Sequence, residues 1–207
     1  VIDYLTYGGL YREVWLEASA PSRLTDLFVY TPNLKEAAVQ WTAERLDGIA
    51  TVRIRLEDAA GRPLAEQTAD AAPNGALTLP ALEARPWSPE DPQLCRCTAE
   101  LLDAAGHVMD RKQVSFGFRT AVFRADGFYL NGKKTFLRGL NRHQSYPYIG
   151  YAAPESLQRE DARILQEELH CNAVRTSHYP QSPYFLDECD RRGLLVFTEL
   201  PGWQHIG

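Results

Sequence analysis

The sequence predicts a two-part fold, an all-β sandwich followed by a parallel α/β segment, and three observations carry this. About seven short runs between residues 21 and 121 alternate apolar with polar residues and are separated by turn residues, the strand count of an immunoglobulin-like sandwich. From about Thr135 to Leu200 the pattern changes to strand–helix–strand–helix–strand, which is the alternation of a parallel sheet. Within that part, Asn172–Phe197 reads as a complete strand–helix–strand unit: a short run at Ala173–Thr176, prolines at 180 and 183, a helix over Tyr184–Arg192, Gly193 as its C-terminal stop, and the apolar run Leu194–Phe197. Arg175 and His178 then stand at the C-terminal end of a parallel strand, the end at which β/α barrels do chemistry.

Composition bounds the alternatives. The 207 residues are 44% hydrophobic and 24% charged with a net charge of −5, which is ordinary for one large or two small globular domains. Acids and bases are interspersed, so neither a nucleic-acid nor a membrane-surface partner is expected. No apolar run reaches the length of a transmembrane helix. The N-terminus shows no leader pattern. The chain opens at Val1 in what reads as mid-strand, so this end reads as a cut. The four cysteines, Cys95, Cys97, Cys171 and Cys189, lack metal-ligand spacing and read as free thiols in a reducing, cytoplasmic setting.

In chain order, Gly8-Gly9 marks a bend, and Tyr11, Val14 and Leu16 suggest a strand that needs a partner from elsewhere. Leu24–Thr31 and the alternation around Val39 and Trp41 follow. Thr51–Glu57 sets Val52, Ile54 and Leu56 on one face and Arg53, Arg55 and Glu57 on the other, as expected for a sheet wet on one side. Ala59–Arg62 turns into Leu64–Ala69, and Asn74-Gly75 reads as a hairpin turn opening Ala76–Leu79. Cys95, Cys97, Ala99 and Leu101 share a strand face, and Val108–Phe118 closes the set. Pro86–Pro92 reads as rigid and extended without being a strand. A hairpin follows, turning at Asn131–Lys134. Leu137–Leu140 then leads into Asn141-Arg142-His143, and a tyrosine-bearing loop spans Gln144–Ala153. Pro154 suits the first turn of a helix in which Leu157, Ile164, Leu165 and Leu169 recur at helical spacing.

Several of these stretches, taken together, resemble glycoside hydrolase family 2, which holds β-galactosidases, β-glucuronidases and β-mannosidases. Asn172-Ala-Val-Arg-Thr-Ser-His-Tyr-Pro180, with Asp190, Gly193 and the apolar run beyond, is similar to its signature segment. Tyr7-Gly-Gly-Leu-Tyr-Arg12 resembles the end of its N-terminal sugar-binding jelly roll. Trp87-Ser-Pro-Glu-Asp-Pro92 resembles its central sandwich, and Phe128–Lys134 through Arg138–His143 resembles the opening of its catalytic barrel. The resemblance implies three domains: the last strand of the jelly roll at 1–20, an immunoglobulin-like β-sandwich at 21–121, and the first β/α units of a TIM barrel at 122–207. It implies a parent enzyme that is a retaining β-glycosidase, with β-galactosidase favoured and β-glucuronidase as the alternative. A non-catalytic carbohydrate-binding or scaffold module remains the reading from another class, and a metal hydrolase built on His143, His178 and His205 is a third.

A TIM barrel needs eight βα units in about 250 residues, and residues 122–207 hold three strands and two helices. Retaining glycosidases use two carboxyl groups about 5–5.5 Å apart, and the family's two glutamates lie on later strands. No catalytic residue is therefore expected here, and the chain alone is expected to be inactive. The resemblance assigns His143, Arg175, His178 and Trp203 to substrate binding. For His143 the alternative is a surface-loop histidine, and for Arg175 a structural ion pair. For Trp203 the choice lies between a sugar platform and simple packing. Glu199, at the active end of a strand, is read as a supporting hydrogen-bond partner rather than the nucleophile. The loop Gln144–Ala153 is read as packing on its own neighbours in preference to lining an outer sugar subsite.

No metal site is expected. His205 falls where magnesium-dependent members have a metal-binding histidine, but Trp203 replaces their glutamate, and a hard cation needs oxygen ligands. Magnesium is retained only as a cofactor of the parent. Gln144 stands where many members carry an acid. Three parallel strands with open edges are expected to find a partner, either another copy of the chain or the rest of the parent protein.

Overall fold

The computed structural model describes residues 8–200. By internal contacts the chain divides into two compact units: residues 17–88 with 93–134, and residues 1–16, 89–92 and 135–207.

The first unit is a sandwich of a three-stranded and a four-stranded antiparallel sheet. Its strands are β1 (Arg23–Asn33), β2 (Glu36–Glu44), β3 (Ile49–Glu57), β4 (Pro63–Asp70), β5 (Asn74–Pro80), β6 (Cys95–Asp103) and β7 (Val108–Phe116). The orders are β1-β2-β5 and β4-β3-β6-β7. The alternation seen in the sequence sets the core. Val52, Ile54 and Leu56 of β3 face Cys97, Ala99 and Leu101 of β6, all fully buried, with Val39, Trp41 and Leu79 from the other sheet. The outer face of the four-stranded sheet is not simply wet. Glu100 there is fully buried beneath Arg53, Arg55 and Arg111, whose long stems cover the sheet while their heads reach water.

Asn74-Gly75 is not a hairpin turn. Both residues lie inside β5, with Gly75 opposite Trp41, and β4 and β5 belong to different sheets. A Cβ at Gly75 would fall within 2.0 Å of the Trp41 ring. The glycine is therefore there for close approach of an indole, a tertiary demand that the local dipeptide imitates. Residues 8–20 form no strand. Tyr11, Val14 and Leu16 are exposed and have no ladder partner among the described residues, and a strand exists only by pairing.

Trp87 is 2% exposed. Its backbone N–H donates to Phe118 O at 2.8 Å, and Arg119 lies over its ring. The unit closes with β8 (Ala121–Arg124), β9 (Gly127–Leu130) and β10 (Lys133–Lys134), whose Asn131-Gly132 turn has φ of 51° and 79°, as a tight hairpin requires.

In the second unit, β11 (Gly139–Arg142), α1 (Glu155–Arg163), β12 (Ala173–Thr176), α2 (Pro183–Arg192) and β13 (Leu195–Thr198) alternate, and β11-β12-β13 form a parallel sheet. After α1 the chain continues as a π-helical turn, Ile164–Glu168. The buried side of this segment is Gln158, Ala162 and Leu165. Leu169 is 52% exposed, so the expected apolar stripe is shorter than its spacing suggested. Helix α2 opens with Pro183 at its first position and ends at Gly193, whose φ of 78° is the left-handed cap conformation. Phe185, Cys189, Leu194 and Val174 form the core between helices and strands.

Candidate functional site

The parallel register sets the site. Asn141, Arg175 and Phe197 are neighbours across β11, β12 and β13, followed by Arg142, Thr176 and Thr198. Side chains alternate along each strand, so residue pairs one step apart go to opposite layers. Asn141 and Arg175 share one face, and Arg175 Nη1 donates to Asn141 Oδ1 at 3.4 Å. Arg142 goes to the helix side.

Just past the C-terminal ends of β12 and β13, Arg175, His178 and Glu199 converge. The Arg175 guanidinium pairs with Glu199 Oε1, and His178 Nδ1 lies 3.0 Å from Glu199 Oε2. Nδ1 also lies 3.5 Å from Arg175 Nη2. The two contacts demand opposite roles of one nitrogen. The shorter one, to a carboxylate, sets the tautomer: Nδ1–H donates to Glu199, which turns Nε2 away from the pair. The pair is fixed from behind by the fully buried Thr176. Its Oγ1 accepts from the Glu199 N–H at 3.2 Å and donates to Phe197 O at 3.2 Å. The Ser177–His178 peptide is cis.

His143 is exposed, and its ring meets His178 edge-on with centroids 5.3 Å apart. It also meets Tyr179 at 6.3 Å. The Tyr179 hydroxyl accepts from the Gln144 N–H at 3.2 Å, so the residue after His143 is tied to the residue after His178. Arg175, His178 and His143 are thus brought together. Trp203 and His205 lie outside the described residues. Among the described residues no group of three or more His, Cys, Asp or Glu is placed to hold a metal ion.

Two features escaped sequence reasoning. Tyr179 ties the two histidine loops together, and its place after His178 was the only signal. Arg142 is the larger surprise. It is 5% exposed, donates from Nε to Asp161 at 2.7 Å and from Nη2 to Gln158 at 2.8 Å, and also bonds Gln181. Its guanidinium lies 4.0 Å from the Phe185 ring centroid. Its position in β11, one step out of phase with Asn141 and His143, was the available clue.

The fold and this cluster define the class: a β-sandwich followed by the opening β/α units of a TIM barrel, with polar groups gathered on the barrel's active face. The chain belongs to glycosyl hydrolase family 2. The profile for glycosyl hydrolases family 2 matches residues 22–119, and that for the family's TIM barrel domain matches residues 122–206. A β-galactosidase of Thermoanaerobacterium thermosulfurigenes is 42% identical over the whole of this chain and 30% of its own length. A putative β-glucuronidase of Formosa agariphila is 34% identical over 96% of this chain and 25% of its own. The structure of Bifidobacterium dentium β-glucuronidase superimposes with a TM-score of 0.81 at 28% identity, covering 88% of this chain and 31% of that one. The chain thus spans about a third or less of the length of the curated relatives it matches.

Proposed function

We propose that this chain is the sandwich and opening barrel segment of a retaining β-glycosidase, most closely a β-galactosidase, in which His143, Arg175, His178 and Trp203 form one wall of the sugar pocket. The observation that carries this is the convergence of Arg175, His178 and Glu199 at the C-terminal ends of adjacent parallel strands, with His143 edge-on to His178. With Nδ1–H engaged by Glu199, His178 keeps its Nε2 acceptor for a sugar hydroxyl, oriented in advance of binding. Glu199, held by Arg175 and His178, acts as support, and the hydrolytic pair of carboxyl groups comes from later strands. β-Galactosidases among the relatives reach 42, 38 and 37% identity, which favours galactose over glucuronate.

The test is a chimera in which residues 1–207 replace the matching segment of the Thermoanaerobacterium thermosulfurigenes enzyme. It is expected to hydrolyse an aryl β-galactoside well above an aryl β-glucuronide, while the 207-residue chain alone turns over neither. A folded chimera inactive on both substrates refutes the reading, as does robust turnover by the isolated chain.

Among the described residues, strands β11 and β13 each have a neighbour on one side only, and Leu140 and Phe197 are 51% and 38% exposed. These edges support association with further barrel strands or with a second copy. Sedimentation of the isolated chain is expected to show concentration-dependent association, and a monomer at high concentration counts against it. The cysteines are free, three of them buried. Burial pushes Cys95 up to about 11 and Cys97 up to about 12. These are inert thiols.

A further inference from the structure

The outer face of the β1-β2-β5 sheet carries side chains that the sandwich core does not use. Antiparallel register and strand alternation set them in rows: Asp26, Thr42 and Asn74 form one, and Phe28, Gln40 and Ala76 the next. Tyr30 continues the line of Phe28 along β1, opposite the small Ala38. We propose that this face binds a neutral oligosaccharide, with two linked pyranose rings lying along Phe28 and Tyr30 and their hydroxyls turned toward the polar groups beside them. The site belongs to the sandwich unit by itself and stands independently of the cluster around Glu199.

Shape is the first argument. Phe28 and Tyr30 are 55% and 47% exposed, with ring centroids 6.1 Å apart and planes inclined by only 32°. The fold uses only part of either ring. Both project from one strand, so they form a platform whose geometry is fixed before any ligand arrives. Beside Phe28, the short side chains of Thr42 and Ala76 and the bare Gly75 leave a hollow of about 400 Å³, within the usual range for ligand pockets.

Unused hydrogen-bonding capacity is the second. Thr42 Oγ1 donates to Asn74 Oδ1 at 3.2 Å, which orients the amide and leaves its NH₂ donors over. Gln40 and Asp26 add a carboxamide and a carboxylate to the same hollow. Trp41 also borders it, and the indole Nε1–H of Trp41 is buried without a hydrogen-bond partner, although a buried indole N–H ordinarily has one. Gly75 is paired with Trp41, so β5 places no side chain over the indole at that position.

Chemistry names the occupant. A pyranose presents C–H patches to ring faces and hydroxyls to amide donors and acceptors. Asp26 is the one charged residue among those bordering the hollow, so a phosphate or carboxylate ligand would meet repulsion and no counter-charge. A stable protein interface takes about 800 Å² on each side. Among the described residues, Phe28 and Tyr30 are the large exposed apolar side chains on the outer sides of β1, β2 and β5. Two rings beside a polar hollow suit a narrow amphipathic chain better than a broad protein surface.

The experiment is a ¹H–¹⁵N NMR titration of the 207-residue chain with cellobiose, a neutral disaccharide that carries no galactose for the pocket proposed above. Saturable shifts are expected at Phe28, Gln40 and Ala76 and at the Trp41 indole N–H. Sodium glucuronate at matched ionic strength is expected to leave them unmoved. Phe28→Ala is expected to weaken cellobiose about five- to tenfold, and Asn74→Ala to weaken it as well, whereas Phe28→Tyr retains binding. Phe28 and Asn74 are exposed, so these changes spare the core, and the dispersion of each variant's spectrum reports that it is folded. If cellobiose leaves these signals still, the proposal is overturned, whatever galactose does at Arg175 and His178. Equal shifts with glucuronate overturn it as a site for neutral sugars. If the signals move with protein concentration alone, the face is a contact between copies and the proposal falls.

Discussion

Arg142→Ala is expected to remove about 3–5 kcal/mol from the stability of the α/β unit, the range for breaking a buried charge cluster by deleting one partner. The guanidinium is the sole cation in a set that includes Asp161, Gln158 and Gln181, and both glutamines are 2% exposed. Without it, Gln158 and Gln181 each lose a donor with little access to water, and Phe185 loses its cationic lid. A whole domain is commonly stable by only about 5–15 kcal/mol, so the unit should open readily. Hydrogen exchange checks this: protection across β11, β12 and β13 should fall by two orders of magnitude or more, while the sandwich strands keep theirs. Arg142→Lys keeps the charge but loses the fork that reaches three partners, so it should lie between wild type and alanine. Unchanged protection in the alanine variant would show that the cluster is not what holds β11 to the helix layer.

Glu100→Gln should cost about 2–3 kcal/mol near neutral pH. The carboxylate is fully buried, and Arg53, Arg55 and Arg111 all lean on it. The cost stays at the lower end because those three arginines are 26, 35 and 53% exposed and keep part of their hydration when the acid is gone. The pH dependence gives a second signature. Burial alone would raise the Glu100 carboxyl, but hydrogen bonds from Arg53 and Arg111 and the charges of Arg55 and Arg53 outweigh it and hold it below the ordinary 4.5. A carboxyl depressed on folding adds stability that is complete above its unfolded value and is lost as pH falls from there through its folded value. Urea midpoints of wild type and Glu100→Gln should therefore differ at about pH 7 and draw together as pH falls from the ordinary 4.5 through the lowered folded value. A gap that stays constant with pH would mean that folding does not shift the Glu100 carboxyl.

Much of the architecture was legible in the chain because it is written in periodicity. Val52, Ile54 and Leu56 alternate with arginines, and that alone set the inner face of β3. Gly193 after Arg192 marked the end of α2, since its left-handed φ is a local need met by a local residue. The Arg175–His178 spacing placed both at a strand end because strand residues advance in a fixed direction. Three other features were illegible for a common reason. Gly75 was read from its neighbour Asn74, whereas its true partner is Trp41, thirty-four positions away in sequence. Tyr11–Leu16 has the composition of a strand, but ladder partners are a property of the assembled sheet. Glu100, which alternates with Ala99 and Leu101, gave no local sign of burial because the arginines that roof it come from β3 and β7.

The sequence by itself determined the order of strands and helices, the inner faces of the sandwich, and which residues crown β12. Those follow from backbone periodicity and local caps, which act over a few residues. Tertiary structure alone decided that Glu199 orients His178 through Nδ1, that Arg142 turns to the helix layer, and that Tyr179 ties the two histidine loops together. Each depends on distances between side chains from different strands and loops, and those distances are fixed only when parallel pairing and packing bring the strands into register.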